Sequence, residues 1–191
     1  MKLHDFLFYF DIGWKHILSW DATDHILFIA ALSIVYTHRD IKKILILVTA
    51  FTIGHAATLY LTSFDYLRFN VALVEMLIPC TILLTALSNI FFSTSHRKGM
   101  QLHYAIALFF GLIHGMGYAN YIRFLLSSDQ QLVWSLFSFN LGLEIGQLVI
   151  VSGVLLFNWL WSTQAWISQR ISIVLVSGFI AVVSIFLIIS R

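Results

Sequence analysis

The polar side chains that stand inside long apolar stretches are the residues of this 191-residue chain best suited to chemistry. They are Asp24, His25, His55, Glu75, His114, Asn140, Glu144 and Gln147. Imidazole together with carboxylate suits zinc, nickel, cobalt or copper, whereas magnesium and calcium prefer shells made of oxygen. Three histidines accompanied by carboxylates therefore predict a site for a divalent transition metal.

A structural role competes with metal binding at several of these positions. Asp is a preferred N-cap residue, so Asp24 could serve only to begin a helix, and Glu75 could pair with a neighbouring helix. One helix face carries, at i, i+4 and i+7, Asn140, Glu144 and Gln147. The two amides on that face are typical interhelical hydrogen-bond formers, and we expect them to support the site. His16 is a further candidate ligand, with a solvated surface histidine as the alternative.

The elements that must position these residues are membrane-spanning helices. The chain is 60% hydrophobic and only 10% charged, whereas a soluble domain carries roughly 25% charged residues. This composition excludes a soluble globular protein and also a disordered one. A span needs about 20 mostly apolar residues, and we predict six, at about 22–38, 41–63, 68–93, 100–122, 132–160 and 171–190. The expected fold is an all-α, polytopic membrane bundle that forms a single domain over residues 1–191.

Two further features predict how the chain meets the bilayer. Residues 1–20 read as an amphipathic helix that lies in the membrane interface. Basic residues cluster after the first and third spans, at Arg39, Lys42, Lys43, Arg97 and Lys98. Cytoplasmic loops carry the excess of Lys and Arg, so both termini are expected outside the cytoplasm. The chain has no run of basic residues of the kind that binds nucleic acid, so no nucleic-acid partner is expected. Association of the chain with copies of itself stays open.

Distances along the predicted helices place the polar groups at similar depth. His55 and His114 each lie fourteen residues into their spans, which is roughly 21 Å of rise through a core about 30 Å thick. Entering from the other side, Glu75 reaches a depth of about 10 Å and Glu144 about 18 Å. With Asp24 and His25 at the outer mouth, five helices contribute polar groups to the outer half of one bundle or to its middle.

Four segments resemble the HupE/UreJ family of membrane proteins, in particular its second branch. They are GWKHILSWDATDHILFIAAL at 13–32, VTAFTIGHAATL at 48–59, FFGLIHGMGYAN at 109–120 and FNLGLEIGQL at 139–148. Glu75 also falls in a VEMLI run like one found in that branch. The similarity extends from about residue 10 to about residue 155.

The resemblance implies a bundle of six or seven helices in the bacterial inner membrane, and nickel or cobalt uptake. By motif, the family's opening His…Asp-His element and its later polar positions correspond to His16, Asp24, His25, His55, His114 and Glu144. The transporters proper of this family have a shorter, proline-containing spacing in the opening element. Here Ile17 follows His16, and Asp24 comes eight residues after it. The resemblance therefore leaves the metal open among nickel, cobalt and zinc.

Two functions fit these residues. The first is a permease that captures a divalent metal at the outer mouth and holds it at depth. Neutral imidazole and ionised carboxylate are the binding forms, so its uptake should fall as the pH drops through about 6.5. The second is an intramembrane zinc hydrolase, open to the extracytoplasmic side, in which Glu75 or Glu144 is the general base. The absence of an HExxH motif disfavours the hydrolase.

Overall fold

The computed structural model describes residues 3–92, 100–125, 131–162 and 168–191, and these form an all-helical membrane protein. Seven α-helices follow one another, and the described residues contain no strand. Their bounds are α1 Leu3–Leu18, α2 Thr23–Ser33, α3 Ile41–Ser63, α4 Val71–Phe92, α5 Met100–Leu125, α6 Leu132–Ser162 and α7 Gln169–Ser190. The five helices from α3 to α7 are long and apolar enough to cross a membrane.

The first two helices are short, and helix α2 ends before residue 38, where the first span was predicted to end. Helix α2 has only 11 residues, which is about 16 Å and too short to cross alone. Helix α1 packs lengthwise and parallel to α6: Ser138 donates to the Phe6 carbonyl at 2.5 Å, and Gly142 lies against the Phe10 backbone. Further along, the Asn158 amide donates to the Ile34 carbonyl at 2.9 Å. The two short helices thus follow α6 as one interrupted helix, broken by the 3-10 turn Trp20–Ala22.

Glycines set the closest helix contacts in the bundle. Helices α3 and α5 run parallel, with Gly111 against the Phe51 carbonyl and Gly54 against the Leu108 carbonyl. A Cβ atom at either glycine would overlap the facing backbone, so only glycine permits this approach. Gly13 of α1 lies in the same way against the Phe139 carbonyl of α6. These contacts fix the rotation and register of the helices that carry the histidines.

Helices α4 and α7 form an antiparallel pair that closes the bundle. Near one end of the pair, Arg170 donates to the Asn89 carbonyl at 3.1 Å. At the other end, Arg191 donates to the Glu75 carbonyl at 2.6 Å. The Asn89 amide also reaches the Ala31 carbonyl at 2.7 Å and so ties α2 to this pair.

The ends of the helices define two sides of the molecule. The His38 side carries the turn His38–Asp40, the ends of α2, α4 and α6, and the starts of α5 and α7. The Asp65 side carries Asp65, which accepts hydrogen bonds from Arg68 and Arg123. Those two guanidinium groups hold the pKa of Asp65 below its usual range, with the Arg68 hydrogen bond as the larger cause. Arg39 and Lys43 lie on the His38 side, whereas Arg97 and Lys98 lie outside the described residues.

Candidate metal centre

Three histidines from three different helices converge in the interior of the bundle. His16 comes from α1, His25 from the first turn of α2, and His55 from α3, and one ligand nitrogen of each lies within 4.8 Å of the other two. His25 and His55 are buried. Three imidazole nitrogens bonded to one ion at about 2.0–2.1 Å lie on average no more than about 3.6 Å apart. The three nitrogens therefore need to move by less than about an ångström to share one ion.

A fourth histidine borders this cluster. The His114 ring of α5 is fully buried, and its centroid lies 5.0 Å from that of His25. Its Nε2 lies 3.0 Å from the Thr81 hydroxyl oxygen, and the Thr81 hydroxyl donates to the Ile78 carbonyl at 2.7 Å. Because that hydroxyl proton is engaged, the oxygen accepts from a protonated Nε2. The lone pair of His114 is consequently on Nδ1, where it is available to a metal.

Asp24 determines the tautomer of His25. Its Oδ1 lies 3.1 Å from the His25 Nδ1 and also accepts from the His25 backbone N–H at 2.9 Å. A carboxylate only accepts hydrogen bonds, so Nδ1 carries the proton and Nε2 carries the lone pair. This is the carboxylate–histidine arrangement that orients metal ligands in proteins. The structure thus places Asp24 behind His25 as its orienting partner.

Five buried imidazole nitrogens in this cluster have no hydrogen-bond partner among the described residues. They are His16 Nε2, His25 Nε2, His55 Nδ1, His55 Nε2 and His114 Nδ1. Leaving a buried polar atom unpaired costs about 1–3 kcal/mol, so such a concentration calls for a ligand. A metal ion bound by imidazole lone pairs satisfies most of these atoms in a single step, and bound water can satisfy the rest.

A cavity of about 230 Å³ connects the cluster with the Asp65 side of the bundle. His16, His25 and His114 line it. It is bordered by Asp24, Glu75 and Arg191, and by Tyr118, whose ring centroid lies 3.8 Å from that of His16. Of its lining residues, Glu75 and Arg191 are exposed, whereas His25 and His114 are buried.

Other candidates from the sequence stand outside the convergent cluster. The half-buried Glu144 accepts from the Thr49 hydroxyl at 2.6 Å, between α3 and α6. Gln147 accepts from Thr52 at 2.9 Å in the same interface. Asn140 donates to the Leu136 carbonyl at 2.7 Å, and its side chain also interacts with His55, so it borders the cluster. The Glu75 side chain is exposed at the cavity edge.

Three residues of this region were not anticipated from the sequence. Thr81, Tyr118 and Arg191 are ordinary in a membrane helix or at its end, and only the packing brings them to the histidines. For Arg191 the sequence does contain one indication. Pro79 has no N–H to donate to the Glu75 carbonyl one turn earlier. The Arg191 guanidinium group donates to that carbonyl instead, at 2.6 Å. The other arm of its guanidinium group reaches the Asp24 Oδ2 at 3.4 Å.

Comparison with known proteins gives one match. A family model described as HupE / UreJ protein matches residues 1–191, which is the whole chain. No curated protein and no solved structure matches it.

Proposed function

The chain belongs to the HupE/UreJ family, and on that premise we propose that it is a permease for a divalent transition metal of the nickel and cobalt type. The family is associated with nickel and cobalt transport. The observation that carries the proposal is the set of unpaired imidazole nitrogens on His16, His25, His55 and His114. Nitrogen ligands of this kind suit nickel, cobalt and zinc.

The metal ion is the cargo in this proposal, and the protein must replace its hydration shell. A bare divalent ion inside a bilayer is prohibitively costly, because nothing there solvates charge. The cavity admits water beside the ion at the start, and the imidazoles then take over as the ion moves inward. Asp24 supplies a negative charge directly behind His25 and keeps the lone pair of that ring directed at the cluster.

Arg191 balances the charge of Asp24 when the cluster holds no ion. The two side chains are 28% and 12% exposed, respectively, so a lone carboxylate here would be costly. An arriving cation competes with the guanidinium group for the same carboxylate. We therefore assign to Arg191 the role of a displaceable counter-ion at the entrance of the site.

Elemental analysis of the purified, detergent-solubilised protein tests the site. We expect a near-stoichiometric transition metal in the wild-type protein and its loss from the double variant His55→Ala/His114→Ala. The matched control is His4→Ala/His38→Ala, which removes two histidines outside the cluster. Equal metal content in all three proteins would refute the site.

Uptake by proteoliposomes tests the activity separately. Vesicles that contain the wild-type protein should accumulate nickel or cobalt supplied outside, and the His55→Ala/His114→Ala vesicles should not. Retention of metal without any uptake would contradict the permease and leave only a metal-binding protein.

An intramembrane zinc hydrolase is the second candidate, and one observation favours it. A nearly apolar groove of about 510 Å³ reaches Thr81, the hydrogen-bond partner of His114, and would admit an apolar substrate from the bilayer. Glu75 is then the candidate general base, because it borders the histidine cavity whereas Glu144 pairs with Thr49. Zinc that survives dialysis against chelator, in a protein that transports nothing, would favour the hydrolase.

A further inference from the structure

A second cavity, mostly apolar but with polar residues in its wall, lies on the His38 side of the histidine cluster. Its volume is about 270 Å³, and it is enclosed by α2, α4 and α5. The polar residues that line it are Tyr36, Thr85, Ser88, Asn89 and His103. The remainder of its wall is apolar. The His38 side of the bundle therefore contains a cavity into which several polar groups are gathered.

One face of α4 links this compartment to the histidines. Thr81, Thr85 and Ser88 are spaced i, i+4 and i+7, which places their hydroxyls on one side of the helix. Thr81 contacts His114 at 3.0 Å, and Thr85 donates to the Thr81 carbonyl at 2.8 Å. The hydroxyl oxygens of these three residues thus form a row from the cluster to the wall of the second cavity.

One face of α5 faces the same route. His103, Ile106, Phe110 and His114 are spaced i, i+3, i+7 and i+11, and the first three line the second cavity. A histidine at one end of this face belongs to the second cavity, and a histidine at the other end belongs to the cluster.

Three aromatic rings separate the two compartments. The Phe28 ring centroid lies 5.0 Å from that of Phe51 and 5.8 Å from that of Phe110. Phe28 and Phe51 are fully buried and also contact His114, at 4.9 Å and 5.3 Å between centroids. The structure is therefore closed between the cluster and the second cavity, while the first cavity borders the cluster on the Asp65 side.

We propose that the second cavity is the release site for the transported ion, with His103 as its imidazole ligand and Phe110 as the movable part of the barrier. This inference rests on the proposed permease function. An ion there meets one imidazole and several neutral oxygens instead of four imidazoles and a carboxylate, so it is bound more weakly and leaves readily. The hydroxyls of Thr81 and Thr85 provide the intermediate ligands.

Two measurements on the same variants test the release site: equilibrium binding of cobalt in detergent, and the initial rate of cobalt uptake by proteoliposomes. His103→Ala and Thr85→Val should each bind cobalt within about twofold of the wild-type affinity and slow uptake by about tenfold or more. Phe110→Ala should bind normally and accelerate uptake, because it shortens the barrier. His38→Ala is the matched control, since it removes a histidine from the same side outside this cavity.

The outcomes separate the release site from the permease itself. Normal uptake by His103→Ala and Thr85→Val, with normal binding, would overturn the release site and leave the permease intact. Loss of cobalt binding in both variants would also overturn it, because their side chains would then belong to the central site. Wild-type protein that neither binds nor transports cobalt and nickel would overturn both proposals.

Discussion

Replacement of Asp24 by asparagine provides a sharp test of how the site is organised. The Asp24 carboxylate accepts from the His25 Nδ1–H at 3.1 Å and from the His25 backbone N–H at 2.9 Å. Asparagine keeps the shape of the side chain, but its amide can donate as well as accept. The substitution therefore removes the constraint that directs the lone pair of His25 at the cluster.

The structure also sets the size of the expected effect. Removing the partner that orients a metal-ligating histidine commonly costs 10–100-fold in affinity, which is about 1.4–2.7 kcal/mol. Asp24→Asn further deletes a negative charge and leaves the Arg191 guanidinium group, now 3.4 Å from that carboxylate, without its partner beside the cavity. The lost negative charge no longer attracts the cation, and the unpaired guanidinium group repels it. We therefore expect the upper end of the range, a loss of about 100-fold in affinity.

Titration with cobalt is the appropriate assay, because its visible spectrum reports affinity and coordination together. Asp24→Asn should weaken binding while the saturated spectrum keeps its wild-type shape, since the ligands themselves remain. Asp11→Asn is the matched control, as Asp11 is an exposed carboxylate that pairs with Lys15 at 2.6 Å. Wild-type affinity in Asp24→Asn would refute the orienting role. A changed spectrum at saturation would show instead that Asp24 binds the ion directly.

Two other predictions follow from the same geometry. Gly111→Ala should destabilise the protein by about 1–3 kcal/mol in thermal unfolding, because the added Cβ would overlap the Phe51 backbone. In Gly153→Ala the added Cβ would meet no atom of another part of the chain within 4 Å, so this control should be neutral or slightly stabilising. Thr81→Val removes the partner of the His114 Nε2–H and should weaken cobalt binding about tenfold, whereas Thr49→Val should leave it unchanged; equal effects would refute the proposed tautomer.

Hydropathy predicted the helices from α3 to α7 closely. The expected span at 41–63 is the helix Ile41–Ser63, and the span at 171–190 is Gln169–Ser190 to within two residues. The predicted first span, 22–38, extends beyond helix α2, which ends at Ser33. Residues 34–38 were included because their hydropathy is compatible with a span. Hydropathy measures burial in lipid or protein alike, and it does not report where the backbone turns.

Part of the candidate site could be predicted from the sequence. His55 and His114 were predicted at the same depth in the membrane, and the structure places both beside His25. Depth does not give the rotation of a helix about its axis, so Glu144 was grouped with residues that it does not join. For His16 the sequence left a metal ligand and a solvated surface residue open, because Asp11 and Lys15 give α1 an interfacial appearance, and the packing of Gly13 against α6 is what brings His16 to the cluster. The shared spacing Gly13-x-x-His16 and Gly111-x-x-His114 is the signal that indicates such packing.

The pairing of α1 with α6 also has a consequence for biogenesis. Helix α1 leaves the ribosome first, but the backbone that receives Gly13 belongs to Phe139, more than 120 residues later in the chain. Until α6 is in the membrane, α1 has no surface to pack against, and His16 has no fixed place beside His25 and His55. The histidine cluster can therefore form only after α6 has been synthesised, and a nascent chain that stops before α6 cannot contain it in its assembled form.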